Sequence, residues 1–166
     1  DGKKVLSGAP YVQARNLINK LQADYIAEMT DTLGRANITP EQYAEIQEFT
    51  EKLVAGLTTQ KDKYTRCFNW IVQNVKYEYT DNDPYAVFKN LTGVCQGYAN
   101  LFYRLAMELD VDARIIGGYG GDYYNGGPHA WNIAALDGLW YNLDATWDEG
   151  ADYYSWFLLS PSSFID

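Results

Sequence analysis

The dipeptide Asp137-Gly138 constrains this chain more than any other feature in it. It lies between two alternating apolar runs, residues 129–136 and 139–144. A two-residue Asp-Gly loop between such runs is a strong hairpin signal, because both loop positions need positive φ. With these two as the loop, Leu136 pairs with Leu139, Trp131 falls opposite Asp144 and His129 opposite Thr146. Side chains alternate along a strand, so 129, 131, 144 and 146 share one face. Asp144 becomes the diagonal neighbour of His129, at roughly 7–8 Å between backbones and within side-chain reach. A carboxylate there can accept an imidazole N–H. A one-residue slip would send the two to opposite faces.

Upstream, Gly93-Val94-Cys95-Gln96-Gly97-Tyr98-Ala99 reads as a glycine-marked turn that feeds a cysteine into the first turn of a helix. Unpaired N–H groups and the macrodipole at a helix start favour thiolate over thiol, and a nearby imidazolium adds to this. The same N–H groups can hold an oxyanion, and Gly93 and Gly97 would let a substrate carbonyl approach closely. Taken singly, each residue has a plain reading: a structural thiol, a satisfied strand histidine, an aspartate capping a turn. Together, on this geometry, they are the parts of a cysteine-nucleophile site.

The first half of the chain reads as helices. Apolar positions from Val12 to Leu33 recur at three and four, predicting a helix over residues 10–34. Thr39-Pro40-Glu41-Gln42 carries a capping-box pattern with Pro at the first helical position, and Gly56 marks that helix's end. A third helix over residues 60–75 places Cys67 on its apolar stripe, where it reads as a buried structural thiol. An extended run at residues 75–79 follows. Asp83-Pro84 then opens a short helix through Phe88, residues 90–94 form a loop, and the central helix runs from Cys95 to about Asp110 with Tyr98, Leu101, Phe102, Leu105 and Leu109 on its buried face. Residues 111–118 read as a strand, 119–128 as a Gly/Tyr/Asn loop, and 155–159 as a further strand. Helices first and an antiparallel sheet afterwards predict an α+β fold.

Composition closes several doors. The 166 residues are 47% hydrophobic and 21% charged, which suits a packed domain. With 22 acidic and 13 basic residues the formal charge is −9, so no field draws in a phosphate backbone and nucleic acid is not an expected partner. No apolar run reaches membrane-spanning length. One His and two Cys argue against a closed zinc site, and Asp81-Asn82-Asp83 lacks the glycine-centred loop and closing Glu of a calcium site. No metal or cofactor is expected.

Three segments resemble one family. Gly93-Val94-Cys95-Gln96-Gly97-Tyr98-Ala99, His129-Ala130-Trp131-Asn132 and Trp140-Tyr141-Asn142-Leu143-Asp144-Ala145-Thr146-Trp147 are similar, in residues and in spacing, to the transglutaminase-like superfamily of papain-like thiol enzymes. The ending Tyr154-Ser155-Trp156-Phe157-Leu158-Leu159-Ser160 resembles the strand that follows the aspartate there. The likeness covers roughly residues 60–166. It implies a papain-like core over residues 59–166, with the Cys helix packed on an antiparallel sheet, preceded by an N-terminal helical extension over residues 1–58. It implies Cys95 as nucleophile, His129 as general base and acid, and Asp144 as the orienting carboxylate. In such relatives an aromatic or amide side chain upstream of the cysteine often completes the oxyanion site. Tyr77, Tyr79 and Asn90 are candidates, each with a packing or loop role open to it. Gln96 and Trp131 join the candidates for lining the cleft, Trp131 as a shield for the ion pair or as an ordinary core ring.

The resemblance implies thiol-dependent acyl transfer on protein or peptide amides through a thioester, with hydrolysis favoured over cross-linking. Bacterial members are often secreted or at the cell surface, so an extracellular or cell-surface location is expected. The rival reading is a module that has lost activity and uses its aromatic cleft to hold a peptide or glycan. A further possibility is that residues 1–58 dock a partner.

Overall fold

A computed structural model describes Lys20 and residues 38–109, 112–121 and 125–164. The elements in chain order are α1 (Pro40–Leu53), α2 (Gln60–Asn74), β1 (Lys76–Tyr77), α3 (Pro84–Asn90), β2 (Thr92–Gly93), α4 (Cys95–Met107), β3 (Ala113–Gly120), β4 (Gly127–Leu136) and β5 (Leu139–Leu143). The helix expected over residues 10–34 falls outside the described residues, apart from helical Lys20. Among the described residues no helix is long and apolar enough to cross a membrane.

The helix starts follow the sequence. Thr39 and Gln42 form the full capping box of α1, each side chain accepting the other's backbone N–H, and Pro40 takes the first helical position. Thr59 caps α2 and Asp83 caps α3 through the N–H groups of Asp62 and Ala86. One face of α2, from Tyr64 and Cys67 to Ile71 and Val72, is buried as its periodicity predicts. α1, expected to belong to the N-terminal extension, contributes to the core. Ile46 and Thr50 of α1 are fully buried, and Phe49 meets the rings of Trp70 and Phe88 at 4.7 and 5.0 Å.

α4 differs from expectation in two ways. It ends at Met107 rather than near Asp110, and every residue from Gly97 to Ala106 is buried, not one face. A helix buried all round must be covered on all sides. Here α1, α2, α3, β3 and β4 all pack against it. Asn132, 1% exposed, joins the layers: its amide donates to the carbonyls of Ala99 on α4 and Arg114 on β3, at 3.0 and 3.2 Å. The hydroxyl of Tyr64 on α2 similarly donates to Ala135 O on β4 at 3.0 Å.

The sheet is antiparallel, in the order β3-β4-β5. Asp137 and Gly138 form the loop with φ of 53° and 78°, Leu136 pairs with Leu139, and the expected register continues to Asn132 opposite Leu143. There the ladder stops, one pair short of Trp131 opposite Asp144. Asp144 takes the N–H groups of Thr146 and Trp147 on its own carboxylate, which turns the chain out of the sheet. Its own N–H goes to Trp156 O at 2.8 Å. The segment 155–159, expected as a strand, therefore makes a single bridge, Asn142 to Leu159. The loops at 90–94 and 119–128 are also shorter than read. Thr92–Gly93 pairs in parallel with Lys76–Tyr77, while Tyr119, Gly120, Gly127 and Pro128 belong to the β3–β4 ladder.

Because Asn132 ties helix to sheet in a dry layer, Asn132→Ala should lower unfolding free energy by about 2 kcal/mol. A urea midpoint indistinguishable from that of the unsubstituted chain would contradict this account of the core.

Candidate active site

Cys95 is the first residue of α4, after Val94 in extended conformation with no side-chain cap. Val94 O accepts the N–H groups of Gly97 and Tyr98 at 2.8 and 3.1 Å, so the first turn closes on the main chain. The first two N–H groups of α4 are used locally. The N–H of Gln96 donates to the Cys95 sulfur, and that of Cys95 itself donates to the Tyr77 hydroxyl. A second N–H reaches the sulfur from Ala130, which lies beyond the part of β4 that β5 covers. The two from α4 sit at the end of the helix that favours negative charge.

Gly93 and Gly97 serve packing rather than substrate approach. A Cβ at Gly97 would stand 2.7 Å from Asp81 O and 2.8 Å from Val87 Cγ2, and one at Gly93 would meet the same two groups at 3.1 and 2.8 Å. The start of α4 is pressed against the 81–82 main chain and α3. Gln96 is turned away as well. Its amide donates to Asn100 Oδ1 at 2.8 Å, and Asn100 donates to Asn82 O at 2.8 Å, a relay that fixes the same loop.

His129 stands on β4 with its side chain 9% exposed, and Asp144 is 1% exposed. His129 Nε2 and Asp144 Oδ2 are 2.5 Å apart. The turn-capping and histidine-orienting readings of Asp144 are both realised, one on each oxygen: Oδ1 accepts from Thr146 N and Trp147 N at 3.0 and 3.1 Å. With Nε2 engaged, Nδ1 is the nitrogen left for Cys95, whose sulfur shares a hydrogen bond with the ring.

Charge follows from this arrangement. The His129 hydrogen bond is the largest influence on Cys95. It outweighs burial and, with the Ala130 and Gln96 N–H groups, holds the thiol below its ordinary range. For His129, burial works against the charged ring. The hydrogen bonds to Asp144 and Cys95 and their negative charge overcome it, raising the imidazole to about 9. Cys67 shows the contrast: fully buried among apolar side chains, its thiol is pushed up to about 12 by desolvation.

The remaining sequence candidates divide. The Tyr77 hydroxyl lies on the Cys95 N–H. Tyr79 is 91% exposed and meets the Tyr77 ring at 5.7 Å, while Asn90 is exposed at the end of α3, so both stand outside this cluster. Trp131 lies near the imidazole at 6.0 Å between centroids, its Nε1 donating to Asn142 Oδ1 at 3.0 Å. Trp147 lies closer, flat on the ring at 4.7 Å and 9°. Sequence reasoning placed Trp147 in a motif without a role, since its position depends on the turn at Asp144. It also missed Asp148, 2% exposed, whose carboxylate accepts the N–H groups of Ser155 and Trp156 at 2.9 and 3.0 Å. Desolvation raises its pKa, and these N–H bonds pull the other way. Asp148 fixes the turn whose Trp156 O receives Asp144 N.

β3 makes room for the rings. A Cβ at Gly118 would lie 2.6 Å from Trp131 Cη2. One at Gly120 would lie 2.8 Å from Trp147 Cζ2 and 3.0 Å from both Cβ and Cγ of His129. The two glycines at period two were the available signal, but it needed the β3–β4 register to be read. Gly120→Ala should cost about 1–3 kcal/mol through overpacking, measured by thermal or urea unfolding. Gly127→Ala, directly across the ladder with open space around the added methyl, is the control and should show no comparable loss. Equal effects of the two would contradict this packing.

Comparison with known proteins agrees with the geometry. Residues 47–145, more than half of the chain, match the family model of the Transglutaminase-like superfamily. The kyphoscoliosis peptidases of Homo sapiens and Mus musculus are each 26% identical over 150 residues, taking in 73% of this chain. The chain spans only 22% of the length of these curated relatives. Among solved structures, a candidate cysteine protease from Cytophaga hutchinsonii superposes with a TM-score of 0.57 at 26% identity, over 63% of this chain and 37% of its own. The periplasmic domain of TgpA from Pseudomonas aeruginosa shares the fold at a TM-score of 0.53 and 16% identity, over 69% and 48% of the two chains. The family match, the α+β architecture and the fold likeness converge: this chain belongs to the transglutaminase-like superfamily.

Proposed function

We propose that this chain carries out thiol-dependent acyl transfer on protein or peptide amides, with Cys95 as nucleophile, His129 as general base and acid, and Asp144 as the orienting carboxylate. One observation carries the reading: His129 is held between Asp144 and Cys95, with the thiol lowered and the imidazole raised to about 9. A lowered thiol beside a raised imidazole favours thiolate and imidazolium as the resting pair. Such a pair supplies a nucleophile and a proton together.

In this reading the sulfur attacks the amide carbonyl carbon, and negative charge moves to the oxygen. The Tyr77 hydroxyl, which accepts the Cys95 N–H at the start of α4, is the candidate donor to that oxygen. His129 Nδ1–H gives its proton to the departing nitrogen as the C–N bond breaks, which leaves a thioester on Cys95. The neutral imidazole then draws a proton from the incoming water or amine. Collapse of the second tetrahedral intermediate returns the thiolate and imidazolium. Asp144 accepts from Nε2 throughout and keeps Nδ1 aimed at the sulfur.

Hydrolysis is favoured over transamidation here, since the relatives at 26% identity are described as peptidases or a candidate cysteine protease. The extracellular or cell-surface setting implied by the sequence resemblance belongs to the same proposal, and fractionation of producing cells tests it.

Alkylation by iodoacetamide across pH, read by mass spectrometry with buried Cys67 as internal control, tests the thiol chemistry. Cys95 should label in two steps. The first comes below the ordinary thiol value of about 8.5, as the ion pair forms. The second comes near about 9, as His129 loses its proton and the sulfur becomes a free thiolate. His129→Ala should merge the steps into one ordinary titration. A single ordinary step in the unsubstituted chain would overturn the enzymatic reading in favour of a binding module.

A further inference from the structure

We propose that the aromatic cavity beside His129 is a subsite for an uncharged aromatic side chain on the leaving-group side of the amide bond. The cavity holds about 290 Å³. Its walls are His129, Trp131, Trp147, Trp156 and Phe164, with Tyr119 and the Gly120-Gly121 main chain at one edge. The rings brace one another. Trp156 meets Trp147 edge-on at 4.6 Å, and Phe164 stands 5.6 Å from both Trp131 and Trp156.

Its position gives the side of the substrate. Cys95 does not line this cavity, whereas His129 does. The acyl part of the substrate ends on the sulfur, while the imidazole delivers its proton to the nitrogen that leaves. The residue carried by that nitrogen is therefore released on the imidazole side, next to this wall of rings. This step rests on the reading of His129 as the acid.

Size, polarity and charge give the chemistry. The volume exceeds the roughly 150 Å³ that suffices to hold benzene, and tilted and edge-on rings suit another aromatic ring. Two of the polar atoms on the walls are already engaged, Tyr119 OH with Gly126 O at 2.8 Å and Trp131 Nε1 with Asn142 Oδ1 at 3.0 Å. That disfavours a sugar, which must exchange many hydrogen bonds with water. An ammonium group would gain from the ring faces, but it would sit against the imidazole that Asp144 and Cys95 hold protonated in this reading. A neutral ring meets neither penalty.

Amino-acid amides are analogues of the departing amine, and they bind without turnover when no acyl donor is present. Phenylalaninamide, leucinamide, lysinamide, glycinamide and N-acetylglucosamine are titrated separately into the intact chain. The ring resonances of His129, the sole histidine, are followed by NMR, together with tryptophan fluorescence. Phenylalaninamide should shift the His129 resonances and bind roughly tenfold or more tighter than glycinamide, with lysinamide no better than glycinamide. Phe164→Ala and, separately, Tyr119→Ala should each reduce that preference. Equal binding of the phenylalanine and glycine amides, no binding at tens of millimolar, or preference for lysinamide or the sugar would overturn the proposal while leaving a reactive Cys95 unaffected. Aromatic binding in a chain whose Cys95 alkylates as an ordinary thiol would overturn the enzymatic reading and the leaving-group assignment with it.

Discussion

The carboxylate of Asp144 is the interaction on which the rest of the site depends. It is buried, so its charge needs hydrogen-bonded partners, and it has three, on two oxygens. Oδ2 takes the imidazole, while Oδ1 takes the N–H groups of Thr146 and Trp147. The first contact selects which nitrogen of His129 faces the sulfur. The others end β5, start the turn and bring Trp147 onto the imidazole face. One group therefore sets the orientation of the histidine and the ring that covers it. Asp148, four residues on, does the corresponding work for the 155–156 turn, which in turn accepts the main-chain N–H of Asp144.

The other half of the geometry is the depth at which α4 is set. Cys95 reaches the sheet because the helix behind it is enclosed by three helices and the sheet, and because glycines remove side chains at its contacts. Gly93 and Gly97 let the helix start touch the 81–82 main chain, and Gly118 and Gly120 let two tryptophans and the histidine lie close on β3. Asn132 then bonds the helix to the sheet through Ala99 O. At that helix start the Gln96 N–H reaches the sulfur, and the end of the helix favours its negative charge.

Much of this was legible in the chain because it rests on local rules. The Asp137-Gly138 turn determines the β4–β5 register, and register determines which side chains share a face, so the approach of Asp144 to His129 followed from parity alone. Caps at Thr39, Thr59 and Asp83 stand where short polar side chains precede the helical pattern. What was not legible depends on long-range contact. Whether Gly97 faces a substrate or Asp81 O is settled by the packing of the loop before α3, and no periodicity encodes that. The sequence pointed to Trp131 as the ring beside the histidine and assigned Trp147 no role. The turn that Asp144 caps brings Trp147 closest, and the strand reading of 155–159 failed for the same reason. Gln96 looked available because it follows the nucleophile, but one helical turn on, Asn100 claims its amide.

The central claim is that a carboxylate and a thiolate together hold one imidazole in its charged form. Because His129 is the sole histidine, its ring carbon and nitrogen resonances can be titrated by NMR without assignment ambiguity. In the unsubstituted chain the ring should stay protonated through neutral pH and titrate near about 9, with Asp144→Asn and Cys95→Ala each moving the transition down toward the ordinary histidine value of about 6.5. A ring that titrates at the ordinary value in the unsubstituted chain, or one that neither substitution moves, would contradict the account.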